Sequence, residues 1–283
     1  MLIKKIVFPI LFFLFLTSVY AREIKVLAIG NSFSDDALEH YLYQLGAANG
    51  DTLIIGNLAI GGASLEMHYN NALKNSPSYS YRKIVNGLRK VTGEMTLAYG
   101  LKDEKWDYVS LQQVSQNTGI YDTYFPYLPY LVEYIKLNTK NPNLKFIFHM
   151  TWAYAKNSTH PGFAFFNNNQ EKMYEAIVKT TSQIATEFNI SLVVPSGTAI
   201  QNARTSSIGD TMCSDGFHLE PTYGRYTAAC TWYEALSGNC VVGNSYKPDT
   251  ISNFKAFVAQ LSAHFAVINP NRVTDLSVCK ENE

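Results

Sequence analysis

"IKVLAIGNSFSDDALEHYLYQL", Ile24 to Leu45, sets the frame for the chain. Residues 24–29 form an apolar run that reads as a strand. It stops at Gly30-Asn31-Ser32-Phe33-Ser34. Ala37, Leu38, Tyr41, Leu42, Leu45 and Ala48 then recur at helical spacing, until Asn49-Gly50 ends the pattern. Two serines stand in the turn. Ser34 precedes Asp35-Asp36 and the helical pattern, the place of an N-cap, and the two acids suit the positive end of a helix. Ser32 is left with no structural duty and is the candidate nucleophile.

The same alternation runs outward to the end of the chain. Strands are expected within 52–60, 106–111, 144–150 and 190–194. Helical patterns fill 124–137, 170–188, 221–236 and 253–267, with helix-like pieces near 81–89. Buried strands alternating with helices imply a mostly parallel five-stranded sheet covered on both faces, in one domain. Residues 61–105 form a long connection, expected to be an insertion or a lid-like excursion. In such sheets ligands sit at the carboxyl ends of the strands. Ser32 follows its strand directly and meets that condition.

A serine nucleophile needs a base, and the base needs an orienting acid. The chain has six histidines. His40 and His264 fall in helical patterns. His160 sits in a turn. His149 ends a strand beside Thr151-Trp152, where it could line the pocket, and His68 follows a Gly-Gly turn. His218 has the strongest context, "CSDGFHLEPTYG", with Asp215 three residues earlier and Gly216 permitting a bend between them. Such a loop brings a carboxylate to imidazole Nδ1 and leaves Nε2 for the serine. Acyl transfer also needs donors for an oxyanion. Gly61-Gly62 follows the second strand, where glycine lets backbone approach a ligand closely. Gln112 and Gln113 stand at the end of the third strand, where a side-chain amide could be a further donor.

Composition excludes some classes and leaves others open. Lys plus Arg and Asp plus Glu are 23 each, with no basic stripe to suggest nucleic acid. Residues 1–21 have Lys4-Lys5, an apolar run to Leu16 and a small-residue exit at Ala21. This is read as a secretory signal, too short for a comfortable membrane span. Residues 22–283 are then the mature domain, secreted or periplasmic. Cys213, Cys230, Cys240 and Cys279 permit three complete pairings, and spacing does not choose among them. None has the spacing of a zinc site. Trp152, Tyr154, Tyr121 and Tyr124 fall on or near loops after strands, where sugar stacking competes with core packing.

Together the motifs resemble the SGNH (GDSL-like) hydrolase superfamily. Gly30-Asn31-Ser32-Phe33 stands as its first block, Gly62 as the second-block glycine and Asp215-Gly216-Phe217-His218 as the last. The third block departs: Leu111-Gln112-Gln113-Val114-Ser115 replaces Gly-x-Asn-Asp, so a glutamine would substitute for the oxyanion asparagine. An α/β-hydrolase fits less well, since Ser34 occupies the last glycine of Gly-x-Ser-x-Gly. The resemblance implies a three-layer α/β/α, flavodoxin-like domain. It also implies a serine esterase for short acyl esters, O-acetyl groups on carbohydrate above all, with no metal or organic cofactor. The alternatives are a glycan-binding protein that has lost activity on the same fold, and an O-acyltransferase.

Overall fold

The computed structural model describes residues 22–281. The expected signal segment, 1–21, lies outside the described residues. In chain order the elements are β1 (Glu23–Gly30), α1 (Ser32–Leu38), α2 (Leu42–Ala48), β2 (Thr52–Ala59), α3 (Leu65–Lys74), β3 (Tyr79–Val85), β4 (Leu88–Met95) and α4 (Leu97–Asp103). They continue with β5 (Tyr108–Leu111), α5 (Tyr127–Asn138), β6 (Lys145–His149), α6 (Gln170–Glu187), β7 (Leu192–Val194), α7 (Ser196–Thr205), α8 (Tyr223–Ser237) and α9 (Asn253–Ile268).

The sheet has seven strands in the order β4-β3-β2-β1-β5-β6-β7. The five expected strands form its parallel part, with β1 between β2 and β5. The chain therefore winds outward from β1 in both directions, and the crevice between the ends of β1 and β5 is the switch point where such sheets bind ligands. Register makes the ends level: Ile29 lies beside both Leu58 and Leu111. The turns after β1, β2 and β5 therefore meet at one place.

The 61–105 stretch is neither a lid nor helical at 81–89. It holds α3, an antiparallel β3–β4 hairpin that extends the sheet beyond β2, and α4. Asn86 (φ 51°) and Gly87 (φ 74°) form a two-residue turn with both central residues left-handed. That turn matches the twist of the flanking strands.

Alternation along each strand sorts side chains to the two faces. Val26 and Ala28 of β1 and Ile147 of β6 join the core under α1, α2, α8 and α9. Leu27, Ile29 and Phe148 join the other core, with Leu97 and Leu101 of α4 and Leu128, Leu131 and Ile135 of α5. The helical pattern after β1 is two helices. Ser34 does not cap the first: Asn31 does, its side chain accepting from the Phe33 N–H. Ser34 is the third residue of the helix, and its hydroxyl donates within reach of two acceptors, the Asn31 carbonyl (2.7 Å) and Asn57 Oδ1 (3.0 Å).

Candidate active site

Ser32 is the first residue of α1, so no carbonyl of that helix accepts its backbone N–H. Its hydroxyl projects into a cleft of about 320 Å³ lined by Asn31, Ser32, Gly61, Gly62, Gln116 and His218 among others. His218 reaches the same cleft from the loop before α8. Its Nε2 lies 2.9 Å from Ser32 Oγ, and its Nδ1 lies 2.7 Å from Asp215 Oδ2. These side chains come together across 186 residues of sequence. A larger depression of about 660 Å³ lies at the opposite, amino ends of β1 and β5, lined by Lys25, Lys105 and Asp107, without a nucleophile–base pair.

The loop holding His218 is built to present it. Asp215 Oδ1 accepts the backbone N–H groups of Phe217 (3.1 Å) and His218 (2.7 Å), which folds the four residues onto the carboxylate. Burial alone would raise the Asp215 pKa. The His218 ring and the two backbone donors outweigh it, and the carboxyl lies below its ordinary range. Gly216 has φ +90°, and a Cβ there would stand 2.9 Å from Ser158 Cα, so the bend needs glycine on both counts. The loop is tied down by Trp152 Nε1 donating to the Phe217 carbonyl at 2.7 Å. The Leu219 N–H donates to Asp36 Oδ2 at 2.9 Å. Phe33 lies flat on Trp152, with centroids 4.3 Å apart, and meets the His218 ring edge-on at 5.8 Å.

Gly62 lies in the turn after β2 at φ +65°, with open space where a Cβ would be. Nothing there blocks a ligand from the backbone. The two glutamines lie behind the cleft rather than in it. Gln112 donates through Nε2 to Asn31 Oδ1 at 2.8 Å and meets His149 through Oε1 at 2.9 Å. Gln113 Oε1 accepts the N–H groups of Leu65 (3.0 Å) and Val114 (2.8 Å), and its Nε2 donates to the Thr123 carbonyl (2.9 Å). Neither glutamine is among the residues that line the cleft.

Gln116, which no motif marks, and His160, which the sequence places in a turn, both line the cleft with Phe217. The Gly162 N–H donates to His160 Nδ1 at 3.0 Å, which leaves the proton of the neutral ring on Nε2. His149 and His68 are buried and outside the cleft lining. Trp152, Tyr154 and Tyr124 are wholly buried, and serve the core rather than a sugar platform.

Matching over residues 25–266 is the model of a family described as a domain of unknown function, DUF4886. The chain belongs to the DUF4886 family. A crystal structure of a DUF4886 protein from Bacteroides uniformis is 51% identical, with a TM-score of 0.89, over 91% of this chain and 100% of that one. A candidate SGNH hydrolase from Slackia heliotrinireducens is 21% identical, with a TM-score of 0.52, over 76% of this chain and 100% of that one. A variant of an acetyl-xylooligosaccharide esterase from Geobacillus stearothermophilus is 16% identical, with a TM-score of 0.50, over 76% of this chain and 94% of that one. At such identities the last two likenesses are of fold, and this DUF4886 chain has the α/β architecture of the SGNH hydrolases. No curated protein matches the sequence.

Two further observations complete the chemistry of the DUF4886 chain. All four cysteines are free thiols. Among the described residues one group could hold a metal ion: Glu234, Cys240 and His264, at the far end of α8. It is already paired within itself, with His264 Nδ1 2.7 Å from one Glu234 oxygen and the Val241 N–H 2.8 Å from the other.

Proposed function

We propose that this protein is a serine ester hydrolase that releases short acyl groups, O-acetyl above all, from carbohydrate. The observation that carries the proposal is the 2.9 Å contact of Ser32 Oγ with His218 Nε2, backed by the 2.7 Å contact of His218 Nδ1 with Asp215.

In this reading the bare Nε2 of neutral His218 takes the Ser32 proton as Oγ attacks the ester carbonyl. Asp215 holds the ring in the Nδ1–H tautomer and stabilises the imidazolium. The backbone N–H groups of Ser32 and Gly62 receive the developing oxyanion; one such donor is worth roughly 3–4 kcal/mol in measured systems. Gln112 and Gln113 do not line the cleft; of the side-chain amides that do, Asn31 donates to the Ala63 carbonyl, and Gln116 is the further candidate donor. His218 then gives its proton to the leaving alcohol. Water enters, His218 activates it, and the acyl-enzyme is hydrolysed.

A cleft of about 320 Å³ is at the small end for ligand sites, which favours a short acyl group. The acetyl-xylooligosaccharide esterase on the same fold supplies the substrate class to assay first. Residues 1–21 direct the chain out of the cytoplasm in this proposal, and an exported protein beginning at Arg22 is the expected product. No helix among the described residues is long and apolar enough to cross a membrane.

Hydrolysis of p-nitrophenyl acetate and acetylated xylo-oligosaccharide by the native chain and by Ser32→Ala tests the activity. Rates in Ser32→Ala reduced to background support the esterase. Equal rates in both would favour a glycan-binding protein, and acetyl transfer to a sugar acceptor exceeding hydrolysis would favour a transferase.

A further inference from the structure

One line of hydrogen bonds runs across the carboxyl ends of the five parallel strands. Asn31, after β1, donates through Nδ2 to the Ala63 carbonyl, after β2, at 2.9 Å. Its Oδ1 accepts from the Phe33 N–H at 3.0 Å and from Gln112 Nε2, after β5, at 2.8 Å. Gln112 Oε1 meets Nδ1 of His149, the last residue of β6, at 2.9 Å. His149 Nε2 meets Ser196 Oγ, which opens α7 after β7, at 3.0 Å. Asn31, Gln112, His149 and Ser196 are all buried, none more than 2% exposed.

The direction of every link follows from a single backbone donor. The Phe33 N–H can only donate, so the Asn31 atom facing it is the amide oxygen. That oxygen cannot donate to Gln112, so Gln112 presents its nitrogen. Gln112 must then turn its oxygen to His149, and Nδ1 of His149 must carry the proton. Nε2 is left bare to accept from the Ser196 hydroxyl. The ring cannot rotate freely either, since Trp232 meets it edge-on at 5.1 Å and Trp152 at 6.1 Å.

Asn31 is where this line touches the cleft. It caps α1, whose first residue is Ser32, and it holds the Ala63 carbonyl one residue beyond Gly62. The nucleophile and the proposed oxyanion turn are thus spaced by one amide side chain. The geometry points to Gln112 and His149 as positioning residues: the Nδ1–H tautomer of His149 fixes the Gln112 amide, which fixes Asn31 and so the separation of Ser32 from the Gly62 turn. Neither residue touches the substrate. The inference rests on the reading of Ser32 as nucleophile; the chain of bonds stands apart from that reading.

Three variants and one spectrum of the full chain test it. Gln112→Met keeps most of the volume but neither donates to Asn31 nor accepts from His149. His149→Phe removes the donor to Gln112 while filling the space. His149→Asn leaves a cavity but places an amide N–H near the Nδ1 position. A misplacement of about 1 Å can cost on the order of 100-fold. The expected result is a fall of about that size in kcat for Gln112→Met and His149→Phe, with KM for p-nitrophenyl acetate within about twofold. His149→Asn should retain more kcat than His149→Phe. A packing role predicts the reverse order, because phenylalanine fills the site better, and that order would overturn the inference. So would a native kcat in His149→Phe. In the native chain, ¹⁵N spectra of the imidazoles should contain a neutral Nδ1–H ring that resists protonation; an Nε2–H tautomer for His149 would break the chain of bonds whatever the activity. Absence of turnover in the native chain, with the Nδ1–H tautomer present, would count against the ester reading and not against the bonds.

Discussion

The Asp36 carboxylate accepts the backbone N–H of Leu219 at 2.9 Å, across 183 residues of sequence. Its other oxygen takes the Arg225 guanidinium at 2.8 Å. Asp36 lies on α1, one turn after Ser32, and Leu219 directly follows His218. The bond therefore clamps the serine helix to the histidine loop. Replacing Asp36 by Ala leaves a buried N–H and a guanidinium without their acceptor. Bonds to charged groups are worth about 1.5–3 kcal/mol, so unfolding stability should fall by roughly that much. kcat should fall by at least about tenfold as His218 loses its register with Ser32. Denaturant titration and steady-state kinetics check both, and unchanged kinetics would show that the loop holds itself.

Gly61 and Gly62 both have open space where a Cβ would be, but only Gly62 has positive φ, at +65°. An alanine at 62 carries the left-handed penalty, about 1–2 kcal/mol, or turns its N–H away from the cleft. Gly62→Ala should lower kcat far more than Gly61→Ala. Equal kinetics in the two variants would remove the Gly62 N–H from the proposed oxyanion site.

His160 stands on the cleft wall with Nε2 as its donor, and Phe217 packs against it at 4.9 Å. A donor beside the serine suits a sugar hydroxyl on the leaving side of the ester. His160→Phe keeps the aromatic packing but loses both the Nε2 donor and the Nδ1 acceptor of the Gly162 N–H, so His160→Asn, which keeps an acceptor there, is its control. The expected result is a drop of up to about tenfold in kcat/KM for an acetylated oligosaccharide, from one lost hydrogen bond, with little change for p-nitrophenyl acetate. An equal loss for both would place His160 in the chemistry rather than in recognition.

Two buried histidines make the fold sensitive to acid. Burial pushes His149 down to about 3 and His68 down to about 4, from an ordinary value of 6.5. As pH falls below 6.5 the unfolded chain takes up protons that the folded chain refuses. Stability is therefore full above that value and is lost toward pH 4, at up to about 1.4 kcal/mol per pH unit for each histidine. Thermal melts between pH 7.5 and 4.5 check this. His68→Phe should flatten the dependence, and an unaltered slope would mean that His68 takes up its proton as readily in the folded protein as in the unfolded chain.

The alternation of apolar runs and helical patterns made the parallel sheet legible, and the strand-end rule made Ser32 a candidate. Asp215 and His218 were legible because a tight Asp-Gly-x-His loop is itself a local device. Asn86-Gly87 marks the turn of the β3–β4 hairpin, but polar residues through 82–94 hide the period-2 pattern on an exposed sheet edge. Ser34 resembled a cap because its side chain suits one; Asn31 won because its amide satisfies the helix and two neighbouring strand ends at once. Strand position and the third block they replace both point the glutamines toward the cleft, and neither signal fixes which way an amide faces. Which way Gln112 faces depends on His149, a partner 37 residues away that no local pattern reveals.

The most direct measurement is the site of covalent capture by a small acyl-mimicking phosphonate, read by peptide mass spectrometry. The account predicts a single adduct on Ser32, formed by the native chain and abolished in Ser32→Ala, with the rate of capture down by at least about 10³-fold in His218→Ala. Capture at another residue, or equal capture in the His218 variant, would contradict it.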